Sequence, residues 1–545
     1  MTNDEIATIL GNYGKLVALH GGNSFQVGAY QAASFNIKKK ITTPLDSLSE
    51  NELREIPQIG KSVVGKIVEL NEKGSFDSYI EMLSKTPVGV VEMLNIRGLG
   101  PKKVKLIWEE MGIETVGELL DACRQNRLAN TKGFGAKTQA QVMESIEFSL
   151  VSKDKIHWAK AHKMVMQVNA ALDKMFSSED YQWVGEYARK CQIVEGLELL
   201  INSSYKRVAK MNFGNIGLPL HEKEEDVFET FFNGEFPIIV RFSGNLVWDT
   251  YTYITPSEIQ DELKLLHIPS ATEEELFKRN DLSYIVPELR EIENISWMKE
   301  AKNLIEYADF KGCVHNHTTY SDGMNTLTEM AEACIQNKWQ YFGVSDHSQT
   351  ASYAGGLKEA DVLRQWNEID QLNAGYTDFK IFKSIESDIL SDGSLDYPEE
   401  ILKGFDFVVA SIHSNLKMDE EKAMMRLINA IENPYTRILG HLTGRLLLMR
   451  DGYPIDHTKI IDACAANNVV IELNAHPYRL DMDWRYIHQA IEKGVLISIN
   501  PDAHVTTGLL DMQYGAHVAR KGGLTAESCL NTKDVTSFEQ WIRSK

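Results

Sequence analysis

HNHTTYSDG, residues 315–323, follows a short apolar run and gathers two imidazoles and a carboxylate, His315, His317 and Asp322. The same design recurs toward the C-terminus. YFGVS leads to Asp346 and His347, KIFKSI to Glu386, FDFVVASI to His413, RILG to His441, VVIEL to Asn474, and VLISIN to Asp502 and His504. Helical patterns such as EKAMMRLINAIE, residues 421–432, lie between these runs. Short, wholly apolar runs separated in this way read as buried parallel strands joined by helices. Polar residues just past the ends of successive parallel strands converge on one mouth of a barrel, where such folds carry their sites.

The nine candidates His315, His317, Asp322, His347, Glu386, His413, His441, Asp502 and His504 are imidazoles and carboxylates without a thiolate. That donor set suits Mn²⁺, Zn²⁺ or Fe²⁺ better than Ca²⁺. Any one histidine alone reads as a satisfied core or loop residue; the recurrence at strand ends is what points to metal. Nine ligands exceed the needs of one ion, so two or three divalent ions are expected. Clustered ions lower the pKa of a shared water, polarise a phosphoryl oxygen and stabilise the leaving oxygen, which makes phosphoester hydrolysis the expected chemistry. No side-chain nucleophile is required. His476 and His488 read as structural, and His457 and His517 carry no assignment.

Upstream, three segments repeat another design: IPQIGKSVVGKIVEL (56–70), IRGLGPKKVKLIWEEMG (96–112) and KGFGAKTQAQVMESI (132–146). Each is an apolar residue, a glycine-containing tight turn and a helix with lysine near its start. Gly98 with Gly100, and Gly133 with Gly135, allow positive φ and bring backbone N–H groups at a helix N-terminus up to a phosphate. Lys61, Lys66, Lys102, Lys103 and Lys137 stand beside these turns. The first copy has Gln58 in place of the first glycine and is the weakest match. A lone lysine cluster, such as Lys38 to Lys40, reads as a solvated face; three copies of the turn point to DNA backbone contacts.

The chain has 545 residues, 43% hydrophobic and 25% charged, enough for several cores. Its net charge of −20 argues against nucleic acid only as a sum, because residues 1–150 carry a net of only −1. Six scattered cysteines without a C-x-x-C pair exclude a disulfide framework and a thiolate zinc site. Acidic residues at the start and no long apolar run lead to the expectation of a soluble, cytoplasmic, monomeric protein without a membrane partner.

The front segments, with SFQVGAYQAASFNI (24–37), resemble the helix-hairpin-helix domains of family X DNA polymerases. The resemblance implies contacts to gapped, nicked or abasic DNA without sequence reading. Lys66 matches the Schiff-base lysine of the β-type polymerases, so a lyase role and a simple phosphate contact both stand open. Farther on, WVGEYARKCQIVEGLELLI (183–201) resembles the polymerase metal motif in altered form. Glu186 replaces a serine, Gly196 stands at the first aspartate and Glu198 at the second. The third falls in WDTYTYITP (248–256) at Tyr251, with Asp249 read as a displaced ligand on the same strand face. This domain is expected to be catalytically dead. LSYIVPELREIE (282–293) resembles the seam before the last domain of bacterial members.

HNHTTYSDG, SDHS (345–348), IESDILSDGSLDYP (385–398), VVASIHS (408–414), HLTGRLL (441–447), ELNAHPYRLD (472–481) and PDAH (501–504) together resemble the polymerase and histidinol phosphatase (PHP) domain fused to bacterial family X polymerases, and the match runs to CLNTK (529–533). The resemblance implies a distorted seven-stranded (β/α) barrel, a trinuclear site and 3′-5′ exonuclease or abasic-site nuclease activity, often with Mn²⁺. Asp346 would orient or supplement the His347 site, and Arg445 and Arg479 would grip substrate phosphate. The expected organisation is therefore an α-helical domain with the first hairpin (1–85), a tandem hairpin region (86–152), an α+β nucleotidyltransferase-like palm and thumb (153–300) and an α/β PHP barrel (308–545). A gap-filling polymerase that proofreads with the barrel, and a small-molecule phosphomonoesterase, are the alternatives.

Overall fold

The computed structural model describes all residues except Thr42, Arg97, Lys153, Asp154 and Lys545, and leaves out the side chains of residues 39–40 and 147–152. Two members of the Lys38 to Lys40 cluster, and Arg97 of the second hairpin, thus lie outside the description. The chain divides into two compact units, residues 1–153 and 154–545. No helix among the described residues is long and apolar enough to cross a membrane.

The first unit is helical. Its three turns share one backbone design. Ile59, Leu99 and Phe134 donate their N–H groups to the carbonyls of Ile56, Ile96 and Thr131, at 3.0–3.1 Å. Gly98 and Gly133 take φ of 90° and 97°, and Gln58 takes 66° at the matching place. The first copy therefore makes the same turn without the glycine, at the steric cost an L-residue meets in the left-handed region. Ile59 and Leu99 are buried beneath their turns, which anchors each hairpin to its core. Helices Lys61–Lys73, Pro101–Glu109 and Ala136–Ser152 start directly after Gly60, Gly100 and Gly135. Pro101, at the first helical position, lacks only an N–H that has no intrahelical partner there.

The second unit opens with seven strands: β1 (Ile156–His157), β2 (Tyr181–Val184), β3 (Ile193–Val194), β4 (Leu197–Asn202), β5 (His221–Glu224), β6 (Val227–Phe232) and β7 (Phe236–Ser243). β1 and β3 form an antiparallel ribbon; the others form a sheet in the order β2-β4-β7-β6-β5, in which only β4 and β7 are parallel. Asp249 does not continue a strand. β7 ends at Ser243, and the Asn245 side chain accepts from Trp248 N–H to cap the helix Leu246–Ile254. The same-face argument that made Asp249 a displaced ligand fails with it.

Seven parallel strands follow: β8 (Gly312–Cys313), β9 (Tyr341–Val344), β10 (Lys380–Asp388), β11 (Phe407–Ser411), β12 (Thr436–Leu439), β13 (Val470–Asn474) and β14 (Ile497–Asn500), adjacent in sequence order. They form a nearly closed barrel. An isolated parallel bridge, Asn316 to Ala503, joins the ends of β8 and β14 at the mouth. At the seam between those strands Asn531 donates to Gly312 O at 3.1 Å and accepts from Ile499 N–H at 2.7 Å. One side chain thus bonds to the backbone of both edge strands. None of the six cysteines forms a disulfide.

Candidate metal centre

At the mouth, His315, His347, His413, His441 and Asp502 follow the ends of their strands by two or three residues, whereas Glu386 lies on β10 itself. All nine strand-end candidates meet there. Three groups have donor atoms within 4.8 Å of one another: His317, Asp322, His347 and His504; His315, His317 and Asp502; and His347, Glu386 and His413. His441 completes the set, its Nε2 lying 2.9 Å from Glu386 Oε1 and 3.2 Å from His413 Nε2. Glu386 is central, with its oxygens 2.9–3.7 Å from nitrogens of His315, His317, His347, His413 and His441. Gly323 lets the first loop fold back, since a Cβ there would stand 2.5 Å from the His317 backbone. Asp502 has φ of 53°, a strained conformation often stored at functional sites.

The buried donor atoms His315 Nε2, His317 Nδ1, His347 Nδ1, His441 Nδ1 and Glu386 Oε2 make no hydrogen bond. Buried polar atoms are nearly always satisfied, and orphaned atoms on five residues of this cluster fit a set of divalent cations. The charge distribution agrees. Burial pushes the Glu386 and Asp502 carboxyls up, but the surrounding imidazoles outweigh it and hold both well below the carboxylate range. Burial, with His504 and His347 beside it, drives His317 down to about 3, leaving it neutral. For His413 and His504 burial opposes the proton, yet the adjoining carboxylates raise them to about 10 and about 9. The carboxylates demand compensating cations, as protons or as metal.

Two acids within the strands were not singled out in the sequence. Glu472, wholly buried on β13, accepts from His315 Nδ1–H at 2.7 Å, His441 N–H at 2.7 Å and Asn500 Nδ2–H at 2.9 Å. It fixes the His315 ring so that Nε2 faces the centre, the role carboxylates take behind metal-bound histidines. Asp388 bonds His413 Nδ1 in the same manner. Asp346, expected beside His347, is used differently. Its carboxylate accepts from Thr318, Ser321 and Gln365, and so ties down the loop bearing His317 and Asp322.

The two arginines also part company. Arg445 donates to the carbonyls of Arg479 and Leu480 and to Asp483 Oδ2, so its guanidinium braces a loop and offers no free fork. Arg479 faces the centre, with Nε 3.7 Å from Asp502 Oδ2. Tyr353 stands 71% exposed at the rim, its ring 6.1 Å from that of His347. In the middle sheet, Glu198 of β4 is paired with Arg241 of β7 at 3.3 Å. A guanidinium there occupies the neighbour-strand face from which a third carboxylate would act, and Glu186 is turned away to accept from Glu195 N–H. Among the described residues, every group able to hold a metal lies in the barrel.

In the first unit, Lys61, Lys102 and Lys137 are exposed in the first turns of their helices. Lys103 Nζ donates to Gly98 O at 3.0 Å and lies 6.0 Å from the Phe134 ring, linking two hairpins. Lys66 is half-buried, 3.2 Å from Glu69 and 4.8 Å from the Phe76 ring.

Residues 314–476 match the PHP domain, residues 1–76 a helix-hairpin-helix domain and residues 90–147 a SAM-like helix-hairpin-helix tandem. The chain therefore joins helix-hairpin-helix modules to a PHP barrel. Over its whole length it is similar to the DNA polymerase/3′-5′ exonuclease PolX of Bacillus subtilis, 29% identical with all of both chains covered. The barrel region alone, 42% of this chain, is 29% identical to a probable phosphatase of Thermoanaerobacter and covers 94% of that protein. A histidinol phosphate phosphatase structure from Lactococcus lactis, complexed with zinc, L-histidinol and phosphate, aligns with a TM-score of 0.32 and 17% identity over 39% of this chain and 94% of the other.

Proposed function

We propose that this protein hydrolyses DNA phosphodiesters in the PHP barrel, as a 3′-5′ exonuclease or abasic-site nuclease, with the hairpins delivering DNA and the middle domain catalytically silent. The observation that carries this reading is the buried cluster of imidazoles and carboxylates about Glu386, several of its polar atoms unpartnered, in one chain with three hairpin turns of one design. Two or three divalent ions, Mn²⁺, Zn²⁺ or Fe²⁺, would be held by the nine strand-end residues. Such ions supply Lewis acidity and an activated water. The protein's own residues do the rest. Glu472 and Asp388 hold His315 and His413 in the tautomers that present Nε2, Asp346 fixes the loop of His317 and Asp322, and Arg479 receives a phosphate oxygen beside Asp502. In the first unit, Lys61, Lys66, Lys102, Lys103 and Lys137, with the turns at Gly98, Gly100, Gly133 and Gly135, would hold the backbone by charge and N–H groups.

Full-length similarity to a protein named both polymerase and exonuclease favours a second reading, gap filling by the middle domain. The Glu198–Arg241 pair speaks against it, because a carboxylate neutralised by a guanidinium is a poor Mg²⁺ ligand. One experiment separates the readings. An end-labelled primer in gapped DNA is incubated with protein, Mn²⁺ and four nucleotides, beside His315→Ala. Shortened products lost in the variant support the nuclease; extended primers overturn the silent middle domain; no product in either direction rejects both.

A further inference from the structure

The middle sheet leaves a domain of the chain without evident chemistry; it meets the barrel at the helix Met512–Lys521, through Trp158 and Arg189, and at the segments around Leu447 and Leu480. The β1–β3 ribbon points two side chains outward. His157 of β1 donates from Nε2 to Leu447 O at 2.9 Å, and its ring lies 4.3 Å from that of Tyr478. Gln192, the residue before β3, donates from Nε2 to Leu480 O at 3.1 Å, while its own carbonyl accepts from Trp158 N–H. Tyr478 and Leu480 flank Arg479 on either side. Leu447 in turn donates its N–H to Tyr478 O at 2.7 Å, so both contacts feed one stretch of backbone. That stretch is strained, with Leu448 at φ 57° and Leu480 at φ 44°, and an L-residue in the left-handed region persists only when its surroundings fix it. From within the barrel, Arg445 holds the carbonyls of Arg479 and Leu480.

We propose that the middle domain serves as a positioning element for the barrel site: His157 and Gln192 clamp the residues on either side of Arg479 and so set its guanidinium over the metal centre. The inference rests on the proposed phosphate role of Arg479 but not on DNA being the substrate. It also gives the polymerase-like fold a function that needs no carboxylates. His157 and Gln192 touch no reacting atom, and removing them acts only through Arg479.

The test uses the full-length protein loaded with Mn²⁺ and measures its affinity for inorganic phosphate by calorimetry, together with KM and kcat on a single-stranded oligonucleotide. A lost charge-assisted hydrogen bond is worth about 1.5–3 kcal/mol, so Arg479→Ala is expected to weaken phosphate binding by roughly 10- to 150-fold. The pair His157→Ala with Gln192→Ala is expected to weaken it about tenfold and to raise KM with little change in kcat, at unchanged metal content. In the Arg479→Ala background the same pair is expected to cost less than twofold. His157→Gln, which keeps a donor, should recover part of the loss. Wild-type phosphate affinity in the pair, or losses that multiply with Arg479→Ala, would overturn the proposal. Because the phosphate titration needs no turnover, it decides the matter even if the protein cuts no DNA, an outcome that would reject the nuclease reading alone.

Discussion

Replacing Glu472 with glutamine keeps the volume and removes one acceptor. Three N–H donors converge on the two carboxylate oxygens, His315 and Asn500 on Oε1 and the His441 amide on Oε2. An amide has one oxygen and one NH₂, so in one orientation the NH₂ faces the His441 amide and in the other it faces both His315 and Asn500. If the NH₂ faces the His441 amide, a buried N–H is left unpaired, at about 1–3 kcal/mol. If it faces His315, the imidazole must shift its proton to Nε2 and withdraw the lone pair aimed at the centre. Either route weakens metal binding, and 1–3 kcal/mol corresponds to roughly 5- to 150-fold, in line with the 10- to 100-fold typical of carboxylates behind metal-bound histidines. Competition of Mn²⁺ against a chelating dye measures the affinity directly. An affinity within about threefold of wild type would show that Glu472 does not orient His315, and the tautomer argument would fall with it.

Other consequences are measurable independently. Lys102→Glu and Lys137→Glu are each expected to weaken DNA binding alike across sequences and to lower the salt slope by about one unit, read by fluorescence anisotropy against salt; unchanged slopes would remove the hairpins from the interface. Tyr353→Ala should lower oligonucleotide affinity by about 1–3 kcal/mol through lost base stacking while Tyr353→Phe does not; equal losses would assign the effect to the hydroxyl. Glu291 is paired with the buried Lys521 and with Arg189. Burial raises its carboxyl, but the two cations outweigh this and hold it below the usual range. Its stabilising effect is therefore present above the unfolded pKa near 4.3 and is lost as pH falls through the depressed folded value. Glu291→Gln should cost about 3–5 kcal/mol near neutral pH, with the gap to wild type closing in acid; a gap independent of pH in thermal melts would refute the pairing.

The barrel was legible because its strands are short apolar runs, most of them followed within a few residues by a ligating residue. Glu472 escaped because it lies inside such a run, VVIEL, although a lone glutamate within a buried strand must find donors and thereby signals a partner. Asp388 follows Glu386 by two positions on β10 and so shares its face, a cue present in IESD. Arg445 and Arg479 were indistinguishable by spacing, since long side chains near one mouth are sorted only by which carbonyls fold within reach. Gln58 misled in the other direction, because a hydrogen-bonded turn with a buried residue beneath it can impose positive φ on a residue that does not favour it.

Glu386 ties the ligand groups to one another. Its two oxygens adjoin five imidazoles, and His317 and His347 each belong to two of the three ligand groups. Ions held by these groups would share ligands, so the entry or loss of one would alter the donors of the next. The first cation to arrive organises rings that a second requires, so occupancy is expected to rise steeply with metal concentration, with half-filled forms scarce. Chelation should likewise empty the centre over a narrow range. The protein would behave toward trace-metal supply as a threshold device, idle or competent, with little graded response between.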